Sequence, residues 1–145
     1  MALTASQLAT LKAAVIADAT AGPLRSSGDA ASLQAWCNGP GTGTIWRPAI
    51  PAAELNTAIV WSAFIALPVA TQQGYFAMLQ AGSIDATSAN VRAGFSSIFS
   101  GQSLTNLTAI AQRVPTRFEA LFTTSQVCSC FGQVVSAADA ALLVN

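Results

Sequence analysis

Residues 51–67 read PAAELNTAIVWSAFIAL and carry the clearest indication of fold class in the chain. Pro51 suits the first turn of a helix, and Glu54 lies near the positive end of that helix. Apolar residues then recur at helical spacing and spread around the remaining faces: Leu55, Ala58, Ile59, Val60, Trp61, Phe64 and Ile65. A helix that is apolar almost all round is buried on several sides. We therefore predict one buried helix from Pro51 to Leu67 at the centre of the fold.

Capping residues and helix breakers predict further helices on both sides of this segment. Thr4 and Gln7 fit a capping box for a first helix, which Gly22-Pro23 ends. Asp29 caps a short second helix, and a glycine-rich loop follows it. The other predicted elements are an extended segment at Thr44–Arg47 and helices over Thr71–Ala81, Ala89–Ser100 and Ser103–Phe122, the last kinked or ended at Pro115.

The C-terminal segment has a different pattern from the rest of the chain. Val127–Phe131 alternates apolar and small polar residues, which is typical of a strand or hairpin, and Ser136 caps a short final helix. We predict a mainly α protein, a compact helical bundle of about five to six helices with a short extended or hairpin C-terminal segment. Residues 1–124 are expected to form the helical body. Residues 125–145 are expected to form an extended tail, either within the same single domain or as an assembly arm.

The low content of charged residues indicates a surface that is covered by partners. Charged residues make up 8% of the chain, against roughly 25% in an ordinary globular domain. Burying an unpaired charge is costly, and this chain has few charges to bury on association. Six basic and six acidic residues give zero net charge, and the five arginines are scattered. A nucleic-acid binder needs clustered basic residues, so we expect at most passive contact with DNA in a channel.

The chain contains no histidine, which excludes histidine-dependent nucleophile arrangements and histidine-ligated metals. The carboxylates are far apart in sequence, and helix capping explains most of them, so we predict no enzymatic activity and no catalytic residues. The three cysteines, Cys37, Cys128 and Cys130, are an odd number and suit reduced thiols in a cytosol. Two or three thiolates cannot close a four-ligand zinc site, so we predict packing rather than metal or cofactor binding.

No membrane association is expected from the apolar segments. The densest run, residues 58–70, is shorter than the roughly 20 residues that a membrane-spanning helix needs. The N-terminal stretch lacks the basic region of a signal peptide.

Candidate contact residues are aromatic, basic or in the C-terminal segment. Arg113 and Arg117 share a face if their helix is continuous, whereas a break at Pro115 separates them. Cys128–Val135 is a candidate for strand addition to a partner's sheet. The full set of candidate interface residues is Trp46, Arg47, Arg92, Arg113, Arg117, Val127, Cys128, Cys130, Phe131, Val134 and Val135.

Four stretches of the sequence resemble a known family. They are MALTASQLATLKAAVIAD at 1–18, TIWRPAIPAAELNTAIVW at 44–61, NVRAGFSSIFSG at 90–101 and QRVPTRFEALF at 112–122. In this order they resemble small proteins encoded among the virion structural genes of tailed bacteriophages. The segment from Cys128 to Asn145 departs from that family, because it is shorter and richer in cysteine.

The resemblance implies a structural component of the virion, assembled in the host cytoplasm. The expected position is the neck, as a head-to-tail adaptor (connector) subunit that forms a ring beneath the portal. The implied partners are copies of itself and the portal and tail or neck proteins. The alternatives are a capsid decoration protein, a tail-completion protein, or a small phage-encoded binding module.

Overall fold

The computed structural model describes residues 2–145 and is mainly helical, with 58% of residues in ten helices and a few short strands. The predicted mainly α class is confirmed, whereas the predicted number of five to six helices is wrong. The helices are α1 Ala5–Ala17, α2 Ala21–Ser26, α3 Ala30–Asn38, α4 Ala52–Ala58, α5 Trp61–Phe64, α6 Val69–Leu79, α7 Ala89–Ile98, α8 Gly101–Ala111, α9 Arg117–Leu121 and α10 Ala137–Leu143. The strands are β1 Ile45–Trp46, β2 Ile50–Pro51, β3 Ser83–Ile84, β4 Gln112–Arg113, β5 Thr123–Thr124 and β6 Val127–Cys128.

The chain divides into two compact units. The terminal unit consists of the chain up to Gly43 together with Val114–Asn145, and the central unit is Thr44–Arg113. The predicted division into a body of 1–124 and a tail of 125–145 follows a different boundary and stays a prediction. Among residues 2–145, no helix is long and apolar enough to cross a membrane.

The first helices of the terminal unit begin where side chains accept main-chain hydrogen bonds. Thr4 and Gln7 form the predicted capping box at the start of α1. The predicted stop at Gly22-Pro23 is wrong, because both residues lie inside α2. Proline is tolerated there because the first turn of a helix needs no main-chain donor. The chain turns instead at Asp18, whose Oδ1 accepts hydrogen bonds from the N–H groups of Thr20 and Ala21 at 2.8 and 2.9 Å.

The core of the terminal unit joins its two chain segments. Asn38 at the end of α3 holds Val135, two residues before α10, with two hydrogen bonds. Its Nδ2 donates to the Val135 carbonyl at 2.9 Å, and its Oδ1 accepts from the Val135 N–H at 2.9 Å. The buried apolar residues of this unit are Leu11, Val15, Ala21, Leu33, Cys37, Phe118, Cys128, Cys130, Val135, Ala140 and Leu143.

The central unit contains the segment 51–67, and the single helix predicted there is wrong. Pro51 belongs to β2, and α4 ends at Ala58. Ile59 and Val60 are extended, with ψ angles of 138° and 97°. Two β-branched side chains in succession favour this conformation. After them the chain forms only the short helix α5.

Side chains of α8 satisfy the main-chain groups that this break leaves unpaired. The Ser103 hydroxyl accepts a hydrogen bond from the Val60 N–H at 3.0 Å. The Asn106 amide donates to the Ala58 carbonyl at 2.9 Å. A buried main-chain group without a partner raises the free energy of the folded state. These two contacts therefore compensate for the helix hydrogen bonds that the break removes.

Aromatic rings fill the core of the central unit. Tyr75 is fully buried, and its ring lies 5.3 Å from that of Phe64 and 5.2 Å from that of Phe99, in edge-to-face geometry. Phe95 stacks on Phe99 at 6.0 Å. Short antiparallel pairs close the unit, with β1 on β4 and β2 on β3.

The predicted helix from Ser103 to Phe122 ends long before residue 122. Helix α8 stops at Ala111, and the chain continues through β4. Helix α9 then begins with a capping box between Thr116 and Glu119. The interruption near Pro115 is the second of the two alternatives that the sequence left open.

Candidate interaction surfaces

Two of the predicted interface residues, Trp46 and Arg92, lie against each other in the central unit. The Arg92 guanidinium stands 4.7 Å from the centre of the Trp46 ring, within the range of a cation–π interaction. Its Nη1 donates to the carbonyls of Ala86 and Thr87 at 2.6 and 2.8 Å. These contacts hold the guanidinium in place above the ring.

A half-open cleft of about 60 Å³ lies beside this pair, and we call it the Trp46 cleft. Its walls come from β1, β2, β3, α4, α7 and α8, all within the central unit. Arg92 and Thr108 are the polar residues among its walls. The lining residues are Trp46, Ile50, Leu55, Ile84, Ala86, Val91, Arg92, Phe95, Leu104, Leu107, Thr108 and Ala111.

The Arg47 side chain links α4 and α8 inside the central unit. Its Nη1 and Nη2 contact Oε1 and Oε2 of Glu54 at 2.5 and 2.9 Å, and Nη1 also donates to the Ile110 carbonyl at 2.8 Å. The hydrogen bond with Glu54 raises the pKa of Arg47, and the same bond lowers the pKa of Glu54. A bidentate pair of this kind fixes orientation as well as charge.

Arg113 and Arg117 do not share a helix face. Arg113 lies in β4 opposite Ile45. Arg117 opens α9, where its Nη1 donates to the Trp36 carbonyl at 3.0 Å and its guanidinium stands 5.3 Å from the Trp36 ring centre. Arg117 and Trp36 thus repeat, in the terminal unit, the arginine–tryptophan contact of the central unit.

Of the candidate interface residues in the C-terminal segment, some are exposed and others are buried. Val127 and Val134 are exposed, and Phe131 is half-buried. Cys128, Cys130 and Val135 are buried in the terminal unit. Strand β6 pairs with β5 within the same chain, so the main chain of Val127 and Cys128 is already partly paired.

The two neighbouring cysteines are in contact with each other. Their sulfur atoms are 3.6 Å apart, and the Cys128 thiol also contacts the Glu119 carbonyl at 3.5 Å. Burial raises the pKa of Cys130 to about 12, and the hydrogen bond with Cys128 adds to the shift. Burial likewise raises the pKa of Cys37 to about 11. Neutral thiols of this kind are poor nucleophiles.

The part of the chain that the structure describes contains no metal-binding cluster. No three carboxylate or cysteine side chains among residues 2–145 come close enough together to hold an ion.

A surface that the sequence did not indicate lies on α5, on α6 and on the turn between them. Trp61, Ile65, Val69 and Phe76 are 44%, 69%, 67% and 48% exposed, and we call these four residues the apolar face. The rings of Trp61 and Phe76 both pack edge-on against the buried Phe64, at 5.3 and 5.6 Å. The run from residue 55 to residue 84 contains no charged residue, so the whole face is uncharged.

Gln72 supports the turn between α5 and α6. Its Nε2 donates to the Leu67 carbonyl at 2.8 Å and to the Ile65 carbonyl at 3.3 Å. This contact ties the end of α5 to the start of α6 and fixes the backbone on which Ile65 and Val69 stand.

Comparison of the chain with protein-family models, with curated proteins and with solved structures finds no match in any of the three. The phage family resemblance therefore stays a prediction.

Proposed function

We propose that this protein is a structural component of a tailed-bacteriophage virion, a head-to-tail adaptor subunit that assembles into a ring beneath the portal. The four family-like sequence stretches support the virion part of the proposal. The low charge and the apolar face support an assembly role. No feature of the described residues calls for catalysis to explain it.

The apolar face is the observation that carries the assembly role. Clusters of exposed large apolar side chains, unlike single ones, mark interaction sites, and the rings of Trp61 and Phe76 both pack on the ring of Phe64. Trp61 and Phe76 are aromatic anchors of the kind that dominate binding energy at interfaces. Because no charge lies within residues 55–84, covering this face removes no charge from water.

The low content of charged residues in the whole chain favours a ring subunit over an isolated binding module. A subunit in a ring buries surface against two neighbours, so a low charge content suits it. A capsid decoration or tail-completion protein would share the apolar face without requiring a ring beneath the portal. A binding module would remain a monomer and would be absent from purified particles.

The first experiment compares the native chain with Val69→Glu by analytical ultracentrifugation and negative-stain electron microscopy. We expect rings or other defined oligomers from the native chain at micromolar concentration, and monomers from the variant. One buried unpaired charge in each interface weakens association by about 3 kcal/mol, or about a hundredfold. Ser97→Glu adds the same charge at an exposed position of α7 and should leave assembly unchanged.

The second experiment asks whether the protein is present in phage particles. Mass spectrometry of purified virions that encode this chain should detect it, in far fewer copies than the major capsid protein. Absence from virions would reject the structural proposal altogether. Presence at hundreds of copies would favour a capsid decoration protein instead.

A further inference from the structure

The volume of the Trp46 cleft matches that of a single side chain. Ligand sites for drug-sized molecules and cofactors enclose about 300–1,000 Å³, and an apolar cavity of about 150 Å³ admits benzene. The Trp46 cleft measures about 60 Å³. It is therefore too small for a cofactor or a lipid chain, but it suits one branched aliphatic group inserted from its open side.

The lining of the cleft is complementary to such a group. Val91, Leu104 and Ala111 line it together with the buried Ile50 and Leu107. Apolar walls give no hydrogen bond to a polar occupant, so a hydroxyl or amide inserted among them would lose its contacts with water.

Arg92 adds a positive charge at the wall of the cleft. The Arg47 charge is balanced by Glu54, whereas Arg92 is held only by two carbonyls and the Trp46 ring. The nearest acid in sequence, Asp85, uses its Oδ1 to bind the N–H and hydroxyl of Thr87 at 2.8 and 2.6 Å. Among residues 2–145, Arg92 forms no ion pair. Because only Nη1 is engaged, the guanidinium keeps further N–H groups for an incoming acceptor.

We infer that the Trp46 cleft binds a segment of a partner protein in which an aliphatic side chain stands next to a carboxylate. The aliphatic group fills the cleft, and the carboxylate accepts hydrogen bonds from Arg92. The choice of a protein segment as occupant rests on the proposed function, since a virion subunit meets protein neighbours. The complementary charge at the cleft selects an acidic segment among them.

The test is a titration with short peptides, followed by two-dimensional ¹H–¹⁵N NMR, of the full chain in the Val69→Glu background, which we expect to be monomeric. The probe is a leucine–glutamate dipeptide capped at both ends, so that its only charge is the glutamate side chain. A leucine–glutamine dipeptide removes the charge, and an alanine–glutamate dipeptide removes the aliphatic group. The chain has three tryptophans, so Trp36 and Trp61 give internal reference signals for the Trp46 indole N–H.

The leucine–glutamate probe should shift the Trp46 signal in a saturable manner, with a dissociation constant on the order of 1–10 mM, as expected for a minimal ligand. The leucine–glutamine probe should bind about five- to tenfold more weakly, because a charge-assisted hydrogen bond is lost. The alanine–glutamate probe should bind about tenfold more weakly, because it leaves the cleft unfilled.

Three variants test whether the probe binds at the cleft or elsewhere on the surface. Arg92→Gln should reduce the preference for glutamate over glutamine to less than twofold, and Ala111→Leu should abolish binding by filling the cleft. Arg117→Gln is the matched control, since Arg117 also stacks on a tryptophan and donates to a carbonyl. That variant should bind the probe like the native chain. Circular dichroism establishes that each variant is folded, and Arg92→Met, which also removes the charge, replaces Arg92→Gln if the latter unfolds.

The inference is overturned if the Trp46 signal does not move up to about 20 mM probe. Equal affinity for the glutamate and glutamine probes would also overturn it. A shift confined to Trp61 would place binding on the apolar face and would overturn it as well. Because these outcomes do not depend on ring formation or on presence in virions, failure of the cleft and failure of the proposed function are distinguishable.

Discussion

At the scale of single residues, the buried hydroxyl of Tyr75 combines packing with a polar contact. The side chain is fully buried, and its hydroxyl donates to Asn56 Oδ1 at 2.8 Å. Burial raises the pKa of Tyr75 to about 12. In an unfolded chain the pKa of tyrosine is about 10, so folding favours the neutral form.

This difference predicts how stability depends on alkaline pH. The folded pKa is the higher one, so the contribution of Tyr75 is fully present below pH 10 and is lost as the pH rises from about 10 to about 12. The loss should be on the order of 2 kcal/mol. Because Tyr75 is the single tyrosine, absorbance at 295 nm reports its ionisation directly.

Tyr75→Phe supplies the control for this prediction. Loss of the hydrogen bond to Asn56 should lower the free energy of unfolding by about 1 kcal/mol at pH 7. The variant should then lose less stability than the native chain between pH 10 and 12, as measured by urea unfolding. Burial raises the pKa of Cys37 and of Cys130 in both proteins alike, so the difference between the two curves isolates Tyr75. An ionisation midpoint near pH 10 in the folded protein would contradict the prediction.

At the scale of secondary structure elements, the break between α4 and α5 depends on Ser103. This residue is only 4% exposed, and its hydroxyl is the acceptor for the Val60 N–H. Removing the hydroxyl leaves a main-chain donor without a partner next to a well-packed core. The penalty for such a group is about 1–3 kcal/mol.

We therefore expect Ser103→Ala to lower the free energy of unfolding by about 1–2 kcal/mol. Ser97→Ala is the matched control, because the Ser97 hydroxyl is exposed and bonds only within its own helix. That change should stay within about 0.5 kcal/mol of the native value. Chemical denaturation followed by circular dichroism measures both. Equal stability of the two variants would show that the Val60 N–H finds another partner.

The predicted helix starts and the missed break show what the sequence can reveal about these elements. Thr4, Asp29 and Ser136 each cap a helix where capping was predicted, because a cap depends on residues three positions apart. The break at residues 59–60 depends instead on a hydroxyl 43 positions away in sequence. Local propensity alone therefore favoured one continuous helix.

The sequence predicted which residues belong to the candidate site but not how those residues are arranged. Trp46 and Arg92 were both expected at an interface, yet their contact requires β1 and α7 to come together in the fold. The apolar face was missed because a sequence that is apolar on all sides gives no sign of which side is exposed. Ile65 and Val69 are exposed because they flank the turn between α5 and α6, which the prediction of one helix up to Leu67 did not place.

At the scale of the whole molecule, the chain order of the two units has a physical consequence. The central unit is one continuous segment, and its two ends are paired with each other. Ile45 lies opposite Arg113, and Trp46 lies opposite Gln112, in the antiparallel pair of β1 and β4. The Arg47 N–H also donates to the Ala111 carbonyl at 2.9 Å. A segment with joined ends and its own aromatic core meets the usual requirements for independent folding.

We therefore predict that residues 44–113, produced alone, fold cooperatively. A core in a fragment of this size supports about 3–5 kcal/mol of stability, so the urea midpoint should be low but the transition sharp. Near-ultraviolet circular dichroism should retain the signal of the packed Tyr75 and its neighbouring rings. The fragment 52–113 is the control, because it lacks β1 and β2 and leaves the partner strands β3 and β4 unpaired; it should be largely unfolded. If both fragments unfold without cooperativity, the joined ends are not sufficient and the central unit needs the rest of the chain. If both fold equally well, the helices alone hold the unit together, and the strand pairs contribute little to it.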